Sequence, residues 1–181
     1  MTELPRRIAV LGLGNVLMGD DALGPYAVRL LESQFYFPPG VSVEDVGTPG
    51  LDLHPYLAEA DALILVDTVR ADGRPGELRC YRREEVLRHA PIQRVGPHDP
   101  GVKQALLALE FAGRGPAEVF LAGLIPAHVE HGIGLSDQVH AALPALLDAI
   151  VAELERLGAP PAPRVPPGTP DLWWERPLVA V

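Results

Sequence analysis

The chain is 181 residues long and carries 24 Asp and Glu against 15 Lys and Arg, a formal net charge of −9. That length fits one domain of roughly 100–200 residues, and a chain of this size buries about two-thirds of its unfolded surface, so it needs no covalent staples. The single Cys80 excludes a disulfide framework or a cysteine-rich zinc site and suits a reducing compartment, while the acidic balance disfavours nucleic acid as a partner. No apolar run approaches the ~18 residues of a membrane span. Arg6 and Arg7 precede an apolar stretch, but glycines and Asn15 interrupt it, so a secretory leader is not expected. A soluble, cytoplasmic protein is the expectation.

Ile8 to Leu13 reads as a buried strand ending in glycines. Leu23 to Phe35 has apolar residues at helical spacing, with Pro25 in the first turn, where a missing N–H costs nothing. Val41 to Val46 alternates as a strand does, and Leu51 to Ala58 reads as a short helix. The continuous apolar run Ala62 to Val66 suits a strand covered on both faces. Glu77 to Arg82 reads as a strand near an edge and Glu84 to His89 as a short helix. Asp99-Pro100 resembles a cap and a helix-start proline ahead of the periodic run Val102 to Phe111. Val119 to Leu124 is the last strand, and Ser136 caps a long helix to about Leu157, stopped by Gly158. This alternation predicts an α/β fold: a mostly parallel sheet with helices on both faces.

Residues 159–181 hold 7 of the chain's 20 prolines and form a tail outside the domain of residues 1–158. A proline lacks the N–H that a regular ladder needs. Trp173 and Trp174 are expected to dock onto the domain's own surface, and the tail to be dispensable for the fold.

The chemistry concentrates at strand ends. The first strand runs into Gly12-Leu13-Gly14-Asn15-Val16-Leu17, a Gly-x-Gly whose third dinucleotide-binding glycine is replaced by Leu17. Asp20 and Asp21 follow. One of them suffices as a helix N-cap, and a pyrophosphate would meet two negative charges, although Asp45 could mimic a ribose-binding acid. Asp67 ends the Ala62–Val66 strand, so Asp21 and Asp67 leave parallel strands at the same carboxyl edge, where open α/β sheets bind ligands. His98, in Gly96-Pro97-His98-Asp99-Pro100-Gly101, is the best placed of the six histidines. His54, His89 and His140 read as structural or solvated. His128 and His131 lie between Pro126 and Gly132, which disfavours the continuous helix of a His-Glu-x-x-His zinc site. Two carboxylates and one imidazole can hold a first-row divalent ion with coordination positions left open. No Gly-x-Ser-x-Gly elbow is present, and Cys80 has no histidine near it in sequence.

An ordered set of segments carries a family resemblance: GLGNVLMGDDALG (residues 12–24), VGTPGLDL (46–53), LILVDT (63–68) with PGEL (75–78), GPHDPG (96–101), LAGLIP (121–126) and GIGLS (132–136). Together they resemble the hydrogenase maturation endopeptidases, which trim the C-terminus of the large subunit of nickel–iron hydrogenases. The resemblance runs from about Arg7 to Leu157. It implies a twisted sheet of about five strands in a three-layer fold, and it implies Asp21, Asp67 and His98 as the catalytic and metal-coordinating residues. In that case carboxylates, as in an aspartyl protease, carry the site. Some members have Glu at the first of these positions; the Asp here is shorter by about one carbon–carbon bond. The resemblance further implies a nickel ion delivered by the large-subunit precursor, with other divalent ions able to occupy the site in isolation. Neither a nucleic acid nor a membrane is an expected partner. A nucleotide- or metal-binding regulatory module without proteolytic activity is the alternative.

Overall fold

Side chains alternate across each strand, and that alternation divides the molecule into layers. The computed structural model describes residues 6–48, 53–89 and 102–176. Strand β1 (Ile8–Leu13) leads through a 3-10 turn (Gly19–Ala22) into helix α1 (Leu23–Gln34), then the two-residue strand β2 (Phe35–Tyr36) and β3 (Val41–Gly47). Helix α2 (His54–Ala58), β4 (Ala62–Thr68), β5 (Leu78–Arg82) and α3 (Arg83–His89) follow. The chain continues with α4 (Val102–Phe111), β6 (Glu118–Leu124), α5 (Asp137–Arg156) and β7 (Ala162–Pro163). The five-stranded sheet has the order β3-β1-β4-β6-β5. β1 is parallel to β3 and β4, β4 is parallel to β6, and only the edge strand β5 is antiparallel.

The even-numbered residues Ile8, Val10, Ala62, Ile64, Val66, Phe120 and Ala122 meet α1 and α5 in one core. The odd-numbered Ala9, Leu11, Leu63, Leu65, Val119 and Leu121 meet α2, α3 and α4 in the other. Each fully buried leucine, isoleucine or valine contributes roughly 1.5–3 kcal/mol. β1 and β4 are therefore apolar on both faces, as central parallel strands must be. The expected strands lie where their periodicity puts them, while the helix expected over Leu51–Ala58 is described as His54–Ala58, residues 51–52 lying outside the described residues; β5 takes the edge, and its direction makes the sheet mixed. The expected cap at Asp99-Pro100 lies outside the described residues.

At Gly12 and Gly24 the strand and α1 touch backbone to backbone. A Cβ on Gly12 would stand 2.4 Å from the Gly24 carbonyl oxygen, and one on Gly24 2.2 Å from the Leu13 nitrogen. Only glycines permit this approach. It fixes the angle at which the chain turns from β1 into α1.

The tail folds back along α1. Its non-proline residues supply the amides: Arg164 N–H donates to the Gln34 carbonyl (2.7 Å) and Gly168 N–H to that of Ser33 (2.7 Å). β7 pairs antiparallel with β2 over two residues, and the Arg164 guanidinium lies 4.0 Å from the Tyr36 ring centroid. Trp174 is 4% exposed and meets the Tyr26 ring edge-on at 5.2 Å. Ala22 completes this small cluster, with Val16 and Leu135 packed against it. Trp173, by contrast, stays 54% exposed and touches its neighbour only edge-on. One tryptophan docks; the other does not.

Charges gather at the amino edge of the sheet. Glu153 on α5 is 4% exposed and accepts from Arg82 (2.6 Å) and Arg156 (2.8 Å), while Arg156 and Arg6 both pair with Glu118. Burial pushes the Glu153 carboxyl up, but the Arg156 and Arg82 hydrogen bonds outweigh it and hold the group below its ordinary 4.5.

Two expectations follow from the packing. Truncation after Gly158, or Trp174→Ala, should leave a folded domain whose melting temperature is reduced. The tryptophan's loss costs about 3 kcal/mol, and a thermal unfolding curve reads it directly. A depressed folded-state pKa stabilises the fold above the unfolded value, and that stabilisation is lost as pH falls through the folded one. The wild type should therefore lose stability on acidification below about pH 4.5. Glu153→Gln should be less stable at pH 7 by roughly 1–3 kcal/mol and should show a shallower acid limb.

Candidate functional site

The strand order reverses at β1. From it the chain crosses to β3 on one side, and the next long strand, β4, lies on the other. Connections leaving the carboxyl ends of β1 and β4 thus diverge and open a crevice, the usual ligand position in open α/β sheets. Asp21 and Asp67 both stand at this crevice.

Asp21 reaches it through a hairpin of the glycine loop. The Asn15 N–H, two residues past β1, donates to Asp21 Oδ2 (2.9 Å) and to the Asp21 carbonyl (3.2 Å). The aspartate is folded back over the strand end and stays partly exposed. Asp67 lies within β4, 2% exposed, and accepts from the Thr68 N–H at 2.7 Å.

Asp20 has a different task. Its carboxylate is 0% exposed and accepts from Ala127 N–H (2.8 Å), His128 N–H (3.2 Å), Ser136 N–H (2.7 Å) and Ser136 Oγ (2.9 Å). Four donors occupy the roughly four acceptor positions a carboxylate offers. Backbone bonds reinforce the junction: Gly19 N–H to Gly132 O (2.9 Å) and Gly132 N–H to Leu17 O (2.9 Å). The expectation that one of the paired acids caps the following helix is corrected here. The N-cap of α1 is Ala22, which makes no side-chain cap bond. Asp20 instead holds Ser136, whose Oγ accepts from Val139 N–H and caps α5.

His98 lies outside the described residues. His54 starts α2 and His89 ends α3; His128, His131 and His140 are exposed. Among the described residues no three His, Cys, Asp or Glu side chains gather as a metal site. Cys80 lies on β5, and desolvation pushes its thiol up, the opposite of what activates a nucleophile.

The glycine loop makes a poor phosphate cradle, because its amides are already engaged. Gly14, Asn15, Leu17, Met18, Gly19, Asp20 and Asp21 all donate within the protein. Asp45 accepts from the Gly47 N–H (3.1 Å) and lies 3.7 Å from Arg29, which leaves it a turn residue. Asn15 and Ser136 are the positioning residues that sequence reasoning passed over. Ser136 was legible as a cap, but its bond to Asp20 spans 116 positions and leaves no local signal.

Comparison with known proteins identifies relatives of the chain and of its fold. The sequence model of the family described as HycI, hydrogenase maturation protease, matches residues 25–153. The Hydrogenase 2 maturation protease of Escherichia coli (strain K12) is 36% identical over 159 residues, which cover 87% of this chain and 96% of that protein. The hydrogenase expression/formation protein HupM of Azotobacter chroococcum mcd 1 is 36% identical over 165 residues, 91% of this chain and 79% of that one. The structure of the hydrogenase maturating endopeptidase HybD from E. coli superposes with a TM-score of 0.81 at 36% identity, covering 88% of this chain and 99% of that one. The family match leaves the tail outside it. On the family match and these relatives, the chain belongs to the hydrogenase maturation protease family.

Proposed function

We propose that this peptidase removes a C-terminal extension from the nickel-loaded large-subunit precursor of a nickel–iron hydrogenase, and that Asp21, Asp67 and His98 receive the metal the precursor carries. One observation supports the reading most: Asp21 and Asp67 stand at the carboxyl ends of adjacent strands, whereas the third acid, Asp20, is consumed by structure. Two carboxylates and an imidazole suit a first-row divalent ion and leave positions for ligands already on the precursor. Docking the ion orients the bond to be cut and requires that the metal be present.

His98 is the third ligand in this reading on its Gly96-Pro97-His98-Asp99 sequence setting alone, which lies outside the described residues. After α4 the chain reaches the amino edge, where Ala117 N–H donates to the Asp61 carbonyl (3.1 Å). A helix that ends there and packs along the sheet begins toward the carboxyl edge, at Val102. Asp20, with no accessible surface and four donors, is unsuited to activate water. Partly exposed Asp21 can take that part. Nickel is cargo of the substrate in this reading, and other divalent ions can bind the isolated enzyme. The cytoplasm is the proposed compartment, which agrees with an unpaired, exposed Cys80. Among the described residues no helix is long and apolar enough to cross a membrane.

Mass spectrometry of a nickel-loaded precursor incubated with the protein should detect a released C-terminal peptide; the metal-free precursor should stay intact. Intact nickel-loaded precursor after incubation would refute the reading. Asp21→Asn, Asp67→Asn and His98→Ala should each lower processing by about 100-fold or more. The two Asn variants should keep their melting temperatures, because Asn retains an acceptor oxygen for Asn15 or Thr68.

Asp20→Asn should behave differently. Its amide NH2 would face backbone donors and leave buried groups unpaired, at a cost of roughly 2–4 kcal/mol. Melting temperature and activity should fall together, as differential scanning calorimetry beside the same cleavage assay would show.

A further inference from the structure

Beside Asp67 lies a cavity of about 310 Å³ that the proposed chemistry leaves unused. Thr68, Val69 and Ala71, which continue the chain from Asp67, form one wall; Ile125, Pro126 and Val129, which follow β6, form the other. Arg70 also borders it but is solvent-exposed, so the enclosed part of the lining is mostly hydrocarbon. That volume is at the low end of ligand cavities, roughly 300–1,000 Å³. It holds one or two side chains and nothing larger from a partner fold.

The walls are fixed before any substrate arrives. A Cβ on Gly123 would stand 2.4 Å from Val69 Cγ1 and 2.5 Å from the Asp67 carbonyl oxygen, so the absence of that atom lets the two strands close up here. Val69 N–H donates to Leu124 O (3.0 Å), and Ile125 exchanges backbone bonds with Glu77 (3.1 Å) and Gly76 (2.8 Å). Asp20 holds the opposite loop through Ala127 and His128, the two residues between Pro126 and Val129.

We infer that this cavity is a specificity subsite that holds an aliphatic side chain of the precursor beside the scissile bond. The inference rests on the reading of Asp67 as part of the metal-receiving site. An ion held there would fix the cleaved bond, from which one or two extended residues reach about 3.3–3.6 Å each, and Thr68, next to Asp67 in the chain, already lines the wall. Val69, Ala71, Ile125, Pro126 and Val129 present hydrocarbon to that side chain. A carboxylate placed among these five would lose its water without gaining a partner from them.

The test uses the full-length enzyme and nickel-loaded precursors in which each of the two residues on either side of the cleaved bond is replaced in turn by Asp. At one position kcat/KM should fall about 100-fold, the order of discrimination an apolar pocket provides. Val129→Lys should cleave that Asp-bearing precursor about 10-fold better than the wild type does and the natural precursor less well. Ala71→Leu narrows the cavity without adding charge and should shift preference toward a smaller side chain, which keeps the subsite testable should Val129→Lys not fold. Asp tolerated at every flanking position would overturn the subsite, as would selectivity unchanged in both enzyme variants. Each of these results leaves the protease reading intact. Failure of the wild type to cleave the natural nickel-loaded precursor removes both.

Discussion

The Asp20 carboxylate draws its four donors from residues 107 to 116 positions further along the chain. Hydrogen bonds to an ionised group contribute roughly 1.5–3 kcal/mol each, and a buried charge is tolerable only when such partners surround it. Here none of its acceptor capacity is left over. The bond set joins the glycine loop after β1 to the loop after β6, so the crevice has one continuous rim. Asp21 and the cavity wall at Val129 inherit their positions from this junction. Gly12 and Gly24 do the same from the opposite side, by seating α1 directly on the strand.

The two edges of the sheet divide the charge between them. At the amino edge Arg6, Arg82 and Arg156 neutralise Glu118 and Glu153, and the pairs hold α5 to β5 and β6. At the carboxyl edge Asp21 and Asp67 follow neighbouring strand ends. Cohesion comes from the ion pairs and the double-sided apolar core. With a net charge of −9, the few cations placed against α5 matter more.

The layers were legible from periodicity because the forces that set it are local. The run Ala62–Val66 can only be a strand covered on both faces, and the spacing of Leu23, Ala27 and Leu31 can only be a helix with one buried stripe. The carboxyl-edge position of Asp21 and Asp67 followed from parallel topology alone. What stayed hidden was long range. Adjacent acids with the same chemistry, Asp20 and Asp21, differ only in which donors the fold brings near, and the donors to Asp20 are more than a hundred residues distant. Proline content argued against a regular ladder in the tail, and the described tail pairs over only two residues, β7 with β2. The docking expected of both tryptophans holds for Trp174, against the Tyr26 ring and beside amides at Arg164 and Gly168 that fall between prolines, and not for Trp173.

The same sequence separation has a consequence during synthesis. The ribosome delivers residue 21 early, but Ser136, the last of the Asp20 donors, more than a hundred residues later, at rates of roughly 5–20 residues per second. Until then the glycine loop has no partner to close against, and α5 has no cap acceptor fixed in place. Asp20 is therefore translated long before the donors that surround it. A nascent chain that already carries Asp20 and Asp21 but not Ser136 lacks the junction that joins the glycine loop to the loop after β6.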